Sequence, residues 1–229
     1  MLRDRTAQAR IGVVLYDGVE PIDVGGTVGV VSMARRILPA LDYVTLARHA
    51  GPITLAGGLV VRAEYGLDAA PACDVLIVCG GPGWTDAAKD EALVGFLQRQ
   101  VPTSLASVCT GALVLAAAGV LKGRAATTRR HTVGAETRSP LDLLAELSPT
   151  TVPHAALVID DSVVTGGGVS LAIDTTLYLI GRLYGGEARH DVAALIEYDR
   201  ASAANRAMLD VMVRLDRVPF RPAARPATA

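Results

Sequence analysis

The 229-residue sequence predicts a three-layer α/β/α sandwich built on a mostly parallel sheet, and three observations carry that prediction. Short, continuous aliphatic runs at 11–16, 74–79 and 103–108 read as strands buried on both faces, the pattern of parallel sheets. Each is followed by a stretch with helical apolar spacing, so strands and helices alternate and right-handed crossovers cover both sides of the sheet. The composition agrees: 51% hydrophobic and 20% charged residues, with a mean hydropathy of +0.36, exclude disorder and supply a sizeable core. Abundant Ala, Val, Leu and Gly beside only two Phe and one Trp suit close packing of helix on sheet.

Taken in order, residues 11–16 form a strand that ends at the turn Asp17 and Gly18. Helical spacing follows over 22–37, with a start blurred by Gly25, Gly26 and Gly29. Residues 43–47 make a second strand, and 53–55 with 59–61 a small hairpin around Ala56, Gly57 and Gly58. The strand at 74–79 runs into Gly80, Gly81, Pro82 and Gly83 and then a helix over 87–100. A strand at 103–108 leads through Cys109 into an Ala- and Leu-rich helix at 110–120. A second hairpin, 155–159 with 163–165, turns at Asp160, Asp161 and Ser162 and precedes a triple glycine and a helix over 170–183. Helical spacing resumes over 191–215. There is no internal repeat, so the reading is a single domain over 8–218 followed by a disordered Arg/Pro/Ala-rich tail at 219–229.

Several function classes fall away on composition. Lys+Arg 22 against Asp+Glu 23 leaves a net charge of -1, which offers no broad footprint for nucleic acid or an anionic membrane. The scarcity of aromatic residues argues against a base-stacking platform. No apolar run is long enough to span a bilayer, and the charged start Met1 to Arg5 is not followed by a signal-type apolar stretch. Three cysteines, Cys73, Cys79 and Cys109, match no zinc spacing and no disulfide framework, so the expectation is a cytoplasmic protein with no metal, acting on a small molecule.

The chemistry candidate is Cys109, which lies where a strand meets a helix, flanked by Ser107, Thr110, Gly111 and Ala112. Small neighbours permit the sharp turn of a nucleophile elbow, here with Cys as the nucleophile. The following helix N-terminus favours thiolate over thiol, so the expectation is an ionised sulfur. The plainer alternative is a buried Cys packed as a small hydrophobe, and Cys73 and Cys79, with no helix start beside them, are read that way. The glycine loop at 80–83 lets a ligand approach the main chain, or is an ordinary tight turn; it is not G-x-G-x-x-G.

The strand ending in Gly80 and Gly81, the elbow Val108-Cys109-Thr110-Gly111-Ala112, and the run from Asp17 to Asp23 together resemble the ThiJ/PfpI superfamily over about residues 10–185. Cys109-Thr110-Gly111-Ala112 with the stretch to Thr128, and Thr165 to Ser170 ahead of Ile173 and Asp174, are similar to its isonitrile hydratase branch. The resemblance implies a flavodoxin-like fold, that of class I glutamine amidotransferase-like domains. It implies Cys109 as nucleophile and an acid from the first strand-helix connection lying against it. Asp23 holds the matching position, with Glu20 and Asp17 as rivals and a helix cap as its plainer role. Such an acid is useful if burial raises its pKa toward neutrality, so that it can donate a proton.

On this resemblance the backbone N–H groups of Gly81 and Thr110 stabilise negative charge, and the Thr110 hydroxyl holds water or the acid. Ile22, Trp84 and Val169 border the substrate pocket, no cofactor is needed, and a homodimer is expected. The implied reaction is hydration of an isonitrile to an N-substituted formamide. Rivals are cofactor-free glyoxalase or deglycase chemistry on a dicarbonyl, and a non-catalytic redox sensor. Many relatives carry His after the Thr pair matching Thr127 and Thr128, whereas this sequence has Arg129, with His131 two residues on; that departure weakens the dicarbonyl reading and any Cys-His hydrolase. Relatives that regulate transcription continue into a DNA-binding region for which the residues after Gly186 are too few, so a regulator is not expected.

Overall fold

Strand β1 (Ala9–Val14) is the centre from which the sheet grows in both directions. In the computed structural model, which describes residues 2–100, 104–147 and 152–214, β1 pairs in parallel with β2 (Leu41–Ala47) on one side and with β6 (Val75–Val78) on the other. Between β2 and β6 the chain forms an antiparallel hairpin of β3 (Gly51–Thr54) and β4 (Val60–Ala63), then β5 (Tyr65–Gly66), which extends the sheet beyond β2. Beyond β6 lie β7 (Ser104–Ser107), β9 (Val163–Gly166), β8 (Ala155–Asp160) and β10 (Asp210–Arg214). The eight-stranded order is β10-β8-β9-β7-β6-β1-β2-β5, and only the β8–β9 pairing is antiparallel. The sheet is therefore mostly parallel, as the sequence predicts.

Every residue of β6, β8 and β9 is buried, as expected of strands covered on both faces. One helical layer joins α1 (Pro21–Ala34), α6 (Ala172–Tyr184) and α7 (Gly186–Leu195). The other joins α2 (Trp84–Ala87), α3 (Glu91–Arg99), α4 (Gly111–Ala117) and α5 (Pro140–Leu147). The helix α1 starts with Pro21 at its first turn, where a missing N–H costs nothing. Its approach to α6 depends on Gly26, where an added Cβ would come within 2.9 Å of the Ala172 Cβ.

Most expected elements appear with shifted ends. The first strand begins two residues earlier than predicted, and the helix expected over 87–100 is two helices, because Asp90 caps the second by accepting from the Ala92 and Leu93 N–H groups. The larger correction concerns 191–215. That span is the end of α7, then α8 (Asp199–Met208), and then strand β10, paired in parallel with β8. Asp174 anchors α8 to α6 by accepting from Tyr198 Oη at 2.8 Å and Asn205 Nδ2 at 2.7 Å, and the chain beyond that anchor lies along the open edge of β8. The tail expected at 219–229 lies outside the described residues. Among the described residues no helix is long and apolar enough to cross a membrane.

Candidate active site

Three connections meet at the carboxyl ends of β1, β6 and β7, where chain order reverses across the sheet; open α/β sheets place their ligand crevices at such points. β1 leads to Asp23 in the first turn of α1, β6 to Gly80 and Gly81, and β7 to Cys109 ahead of α4.

Cys109 has a φ of +52°, a left-handed conformation that a non-glycine residue adopts only when its surroundings hold it there. Its N–H donates to the Gly167 carbonyl at 3.0 Å, and its own carbonyl accepts from Thr128 Oγ1 at 2.6 Å. The turn is possible because its neighbours lack side chains. A Cβ on Gly111 would sit 2.0 Å from the Val78 carbonyl oxygen, and one on Gly80 would sit 2.4 Å from the Thr110 nitrogen.

The Asp23 carboxyl is completely buried and does not cap its own helix. Its Oδ2 accepts from the Gly80 N–H at 2.8 Å, while Oδ1 is buried without a hydrogen-bond partner among the described residues. The Cys109 thiol is close enough to hold the carboxyl pKa down, yet without a well-formed hydrogen bond to Oδ1. Burial dominates: it lifts Asp23 from its ordinary 3.8 to about 7, against the pull of the Gly80 N–H and with a push from the Glu20 charge. The rivals are placed elsewhere. Asp17 Oδ1 accepts from the Thr54 N–H at 2.8 Å, and Glu20 stands at the cavity rim.

The expectation of an ionised sulfur is corrected. Burial first, and then the Asp23 charge, push the Cys109 thiol up to about 12, outweighing the Thr110 N–H and hydroxyl and the Arg129 guanidinium, which favour the thiolate. Desolvation of a residue only 3% exposed wins over the partial charge of a two-turn helix. The expected donor at Gly81 is corrected too: its N–H is committed to Thr110 Oγ1 at 2.8 Å, and that hydroxyl in turn lies 3.2 Å from the Gly81 carbonyl oxygen. Thr110 thus ties the two loops together, and its N–H points to the Cys109 sulfur.

A cavity of about 670 Å³ opens over the thiol, walled by Trp84, Val133, Pro140, Leu143 and Val169, with Glu20, Arg129 and Glu136 as its charged side chains. Trp84 and Val169 line this cavity, whereas Ile22 borders a neighbouring one of about 580 Å³, which shares Arg129, Val133 and Val169 with the first. Arg129, left open by the sequence, enters the site. Its guanidinium interacts with the Cys109 sulfur and donates to Glu136 Oε1 at 2.6 Å and to the His131 carbonyl. It reaches there by crossing Gly168, where any Cβ would lie 2.7 Å from Arg129 Cγ. His131 borders only the second cavity. Cys73 and Cys79 are buried and free of disulfides, and among the described residues no group of His, Cys, Asp and Glu is arranged to hold a metal.

The chain has relatives in sequence and in fold. The chain is 32% identical over 193 residues to the isonitrile hydratase of Pseudomonas putida, covering 82% of this chain and 78% of that protein. It is 31% identical over 195 residues to the HTH-type transcriptional regulator GbdR of Pseudomonas aeruginosa, where the match covers 83% of this chain and 51% of the regulator. A ThiJ/PfpI family protein from Pseudomonas syringae superposes with a TM-score of 0.74 at 26% identity, over 85% of this chain and 76% of that one. The DJ-1/PfpI family model matches residues 9–182, and the chain belongs to that family.

Proposed function

We propose that the chain hydrates an isonitrile to an N-substituted formamide, with Cys109 as nucleophile and Asp23 as the group that carries the proton. The observation that carries this reading is the buried pairing of a carboxyl of pKa about 7 with a thiol, on the wall of a largely apolar cavity. An isonitrile carbon takes a proton and a nucleophile at the same centre, so a thiol and a carboxylate sharing one proton meet its requirement.

In the first step the Cys109 S–H proton passes through Asp23 to the isonitrile carbon while a C–S bond forms, giving a neutral thioimidate and leaving Asp23 ionised. In the second, Asp23 takes a proton from water, whose oxygen adds to the same carbon, and passes that proton to the imidate nitrogen, which becomes N–H and leaves Asp23 ionised again. The C–S bond then breaks, the sulfur leaves with the remaining water proton, and the formamide is released. Arg129, beside the sulfur, stabilises negative charge as the thiol ionises. The hydratase relative supports the reaction class, and the regulator relatives make the alternative a ligand-binding domain with the same pocket. The redox-sensor reading is weakened by a sulfur held as thiol, since peroxide attacks thiolate.

The test is intact-protein mass spectrometry and formamide detection after mixing with an alkyl isonitrile. Wild type is expected to turn over or to carry an adduct, and Cys109→Ala and Asp23→Asn to do neither. Undiminished turnover by Cys109→Ala overturns the mechanism.

A further inference from the structure

The cavity next to the nucleophile has a charge character of its own. Four basic side chains, Arg129, Arg130, His131 and His154, border its 580 Å³, and no Asp or Glu does so among the described residues. Arg129 is matched by Glu136 at 2.6 Å. Arg130 forms no ion pair among the described residues; its Nη1 lies 2.6 Å from His154 Nε2. A guanidinium only donates, so that imidazole nitrogen accepts and the ring proton sits on Nδ1, leaving His154 a donor in turn. Much of the remaining wall is apolar, with Ile22, Leu171, Met208 and Leu209, and Arg129, Val133 and Val169 are shared with the adjoining cavity above Cys109.

A guanidinium bordering one largely apolar cavity, with a thiol in the cavity adjoining it, fits a ligand with a reactive head, a short carbon chain and a carboxylate. Resting on the hydration reading for the head group, we propose that the substrate is an isonitrile bearing a terminal carboxylate, and that Arg130 with His154 forms the subsite for that carboxylate. Arg130 would act on recognition: it borders the second cavity and not the one that holds the sulfur.

The experiment compares 5-isocyanopentanoate with its methyl ester. Wild type is expected to favour the acid by about tenfold in kcat/KM, most of it in KM, as one charge-assisted contact provides. Arg130→Gln should bring that ratio to about one, and Arg130→Glu should take it below one. A wild-type ratio near one, or a ratio that Arg130→Gln leaves unchanged, overturns the subsite. Calorimetric binding of hexanoate against hexanamide gives a readout independent of turnover. A preference for hexanoate that Arg130→Gln abolishes supports the subsite even if neither isonitrile is hydrated, in which case only the hydration reading fails; equal binding of the two overturns the subsite.

Discussion

Asp23 receives the Gly80 N–H on Oδ2 at 2.8 Å, which fixes the carboxyl in one orientation and leaves Oδ1 buried with no hydrogen-bond partner among the described residues. The unsatisfied oxygen is the costly half of that arrangement, because a buried carboxylate oxygen without a donor disfavours ionisation. It is also the half that serves a proton carrier, since beyond the single Gly80 N–H on Oδ2 no fixed donor reaches Oδ1 among the described residues to hold the carboxyl permanently charged.

The pH dependence follows from this pairing. Above about 7 the Asp23–Cys109 pair holds one proton, whichever atom carries it, and below that it holds two. The singly protonated pair is the reactive one, so kcat/KM is expected to rise with pH through about 7 and then level off. In Asp23→Asn turnover should be lost, with any residual rate at least about 100-fold lower and without that rise. A wild-type profile with no inflection near neutrality would count decisively against Asp23 as proton carrier.

The same carboxyl should lower stability at alkaline pH. Its folded pKa of about 7 lies above the ordinary 3.8, so its contribution is fully present below 3.8 and is lost as pH rises through about 7. Asn mimics the neutral form at every pH. Urea unfolding at pH 8 should therefore find Asp23→Asn more stable than wild type by on the order of 4 kcal/mol, with the gap closing near pH 4. Parallel curves for the two proteins across that range would remove Asp23 as the cause.

Backbone strain at Cys109 separates the fate of the fold from that of the sulfur. At a φ of +52° a Cβ carries a penalty that glycine escapes. Cys109→Gly and Cys109→Ala should both be inactive, yet the glycine variant should be the more stable by about 1 kcal/mol. The reverse order in thermal or urea unfolding would mean that the turn is not strained in solution.

Arg129 and Glu136 should change thiol reactivity in opposite directions. The guanidinium favours the Cys109 thiolate, and Glu136 draws on the same guanidinium at 2.6 Å. Alkylation of Cys109 by iodoacetamide at pH 8, followed on its peptide, should slow about threefold in Arg129→Gln and quicken by a similar factor in Glu136→Gln. Equal rates in all three proteins would leave Arg129 without an electrostatic role.

What could be read from the residues alone divides along physical lines. The run Ser107 to Ala112 suggests its turn because small residues at a strand-helix junction permit a sharp bend, whereas Asp23 is singled out from Asp17 and Glu20 only through the family resemblance. Other features depend on atoms distant in sequence. Arg129 reaches the sulfur only because Gly168, from another loop, leaves room beneath it. The acidity of Cys109 depends on how much water its surroundings exclude, which no spacing reports. Residues 210–214 hold three consecutive apolar side chains, Val211, Met212 and Val213, between Asp210 and Arg214, a span too short to separate a strand from the end of a helix, and β8 supplies the edge that decides it.

The main-chain clamp on Cys109, from Gly167 on one side and Thr128 on the other, involves no atom of its side chain. The socket is thus built independently of what is mounted in it, so serine or selenocysteine at this position would inherit the same aim into the cavity. Reactions needing a harder or softer attacking atom become accessible by exchanging one element, with the architecture around it left as it is.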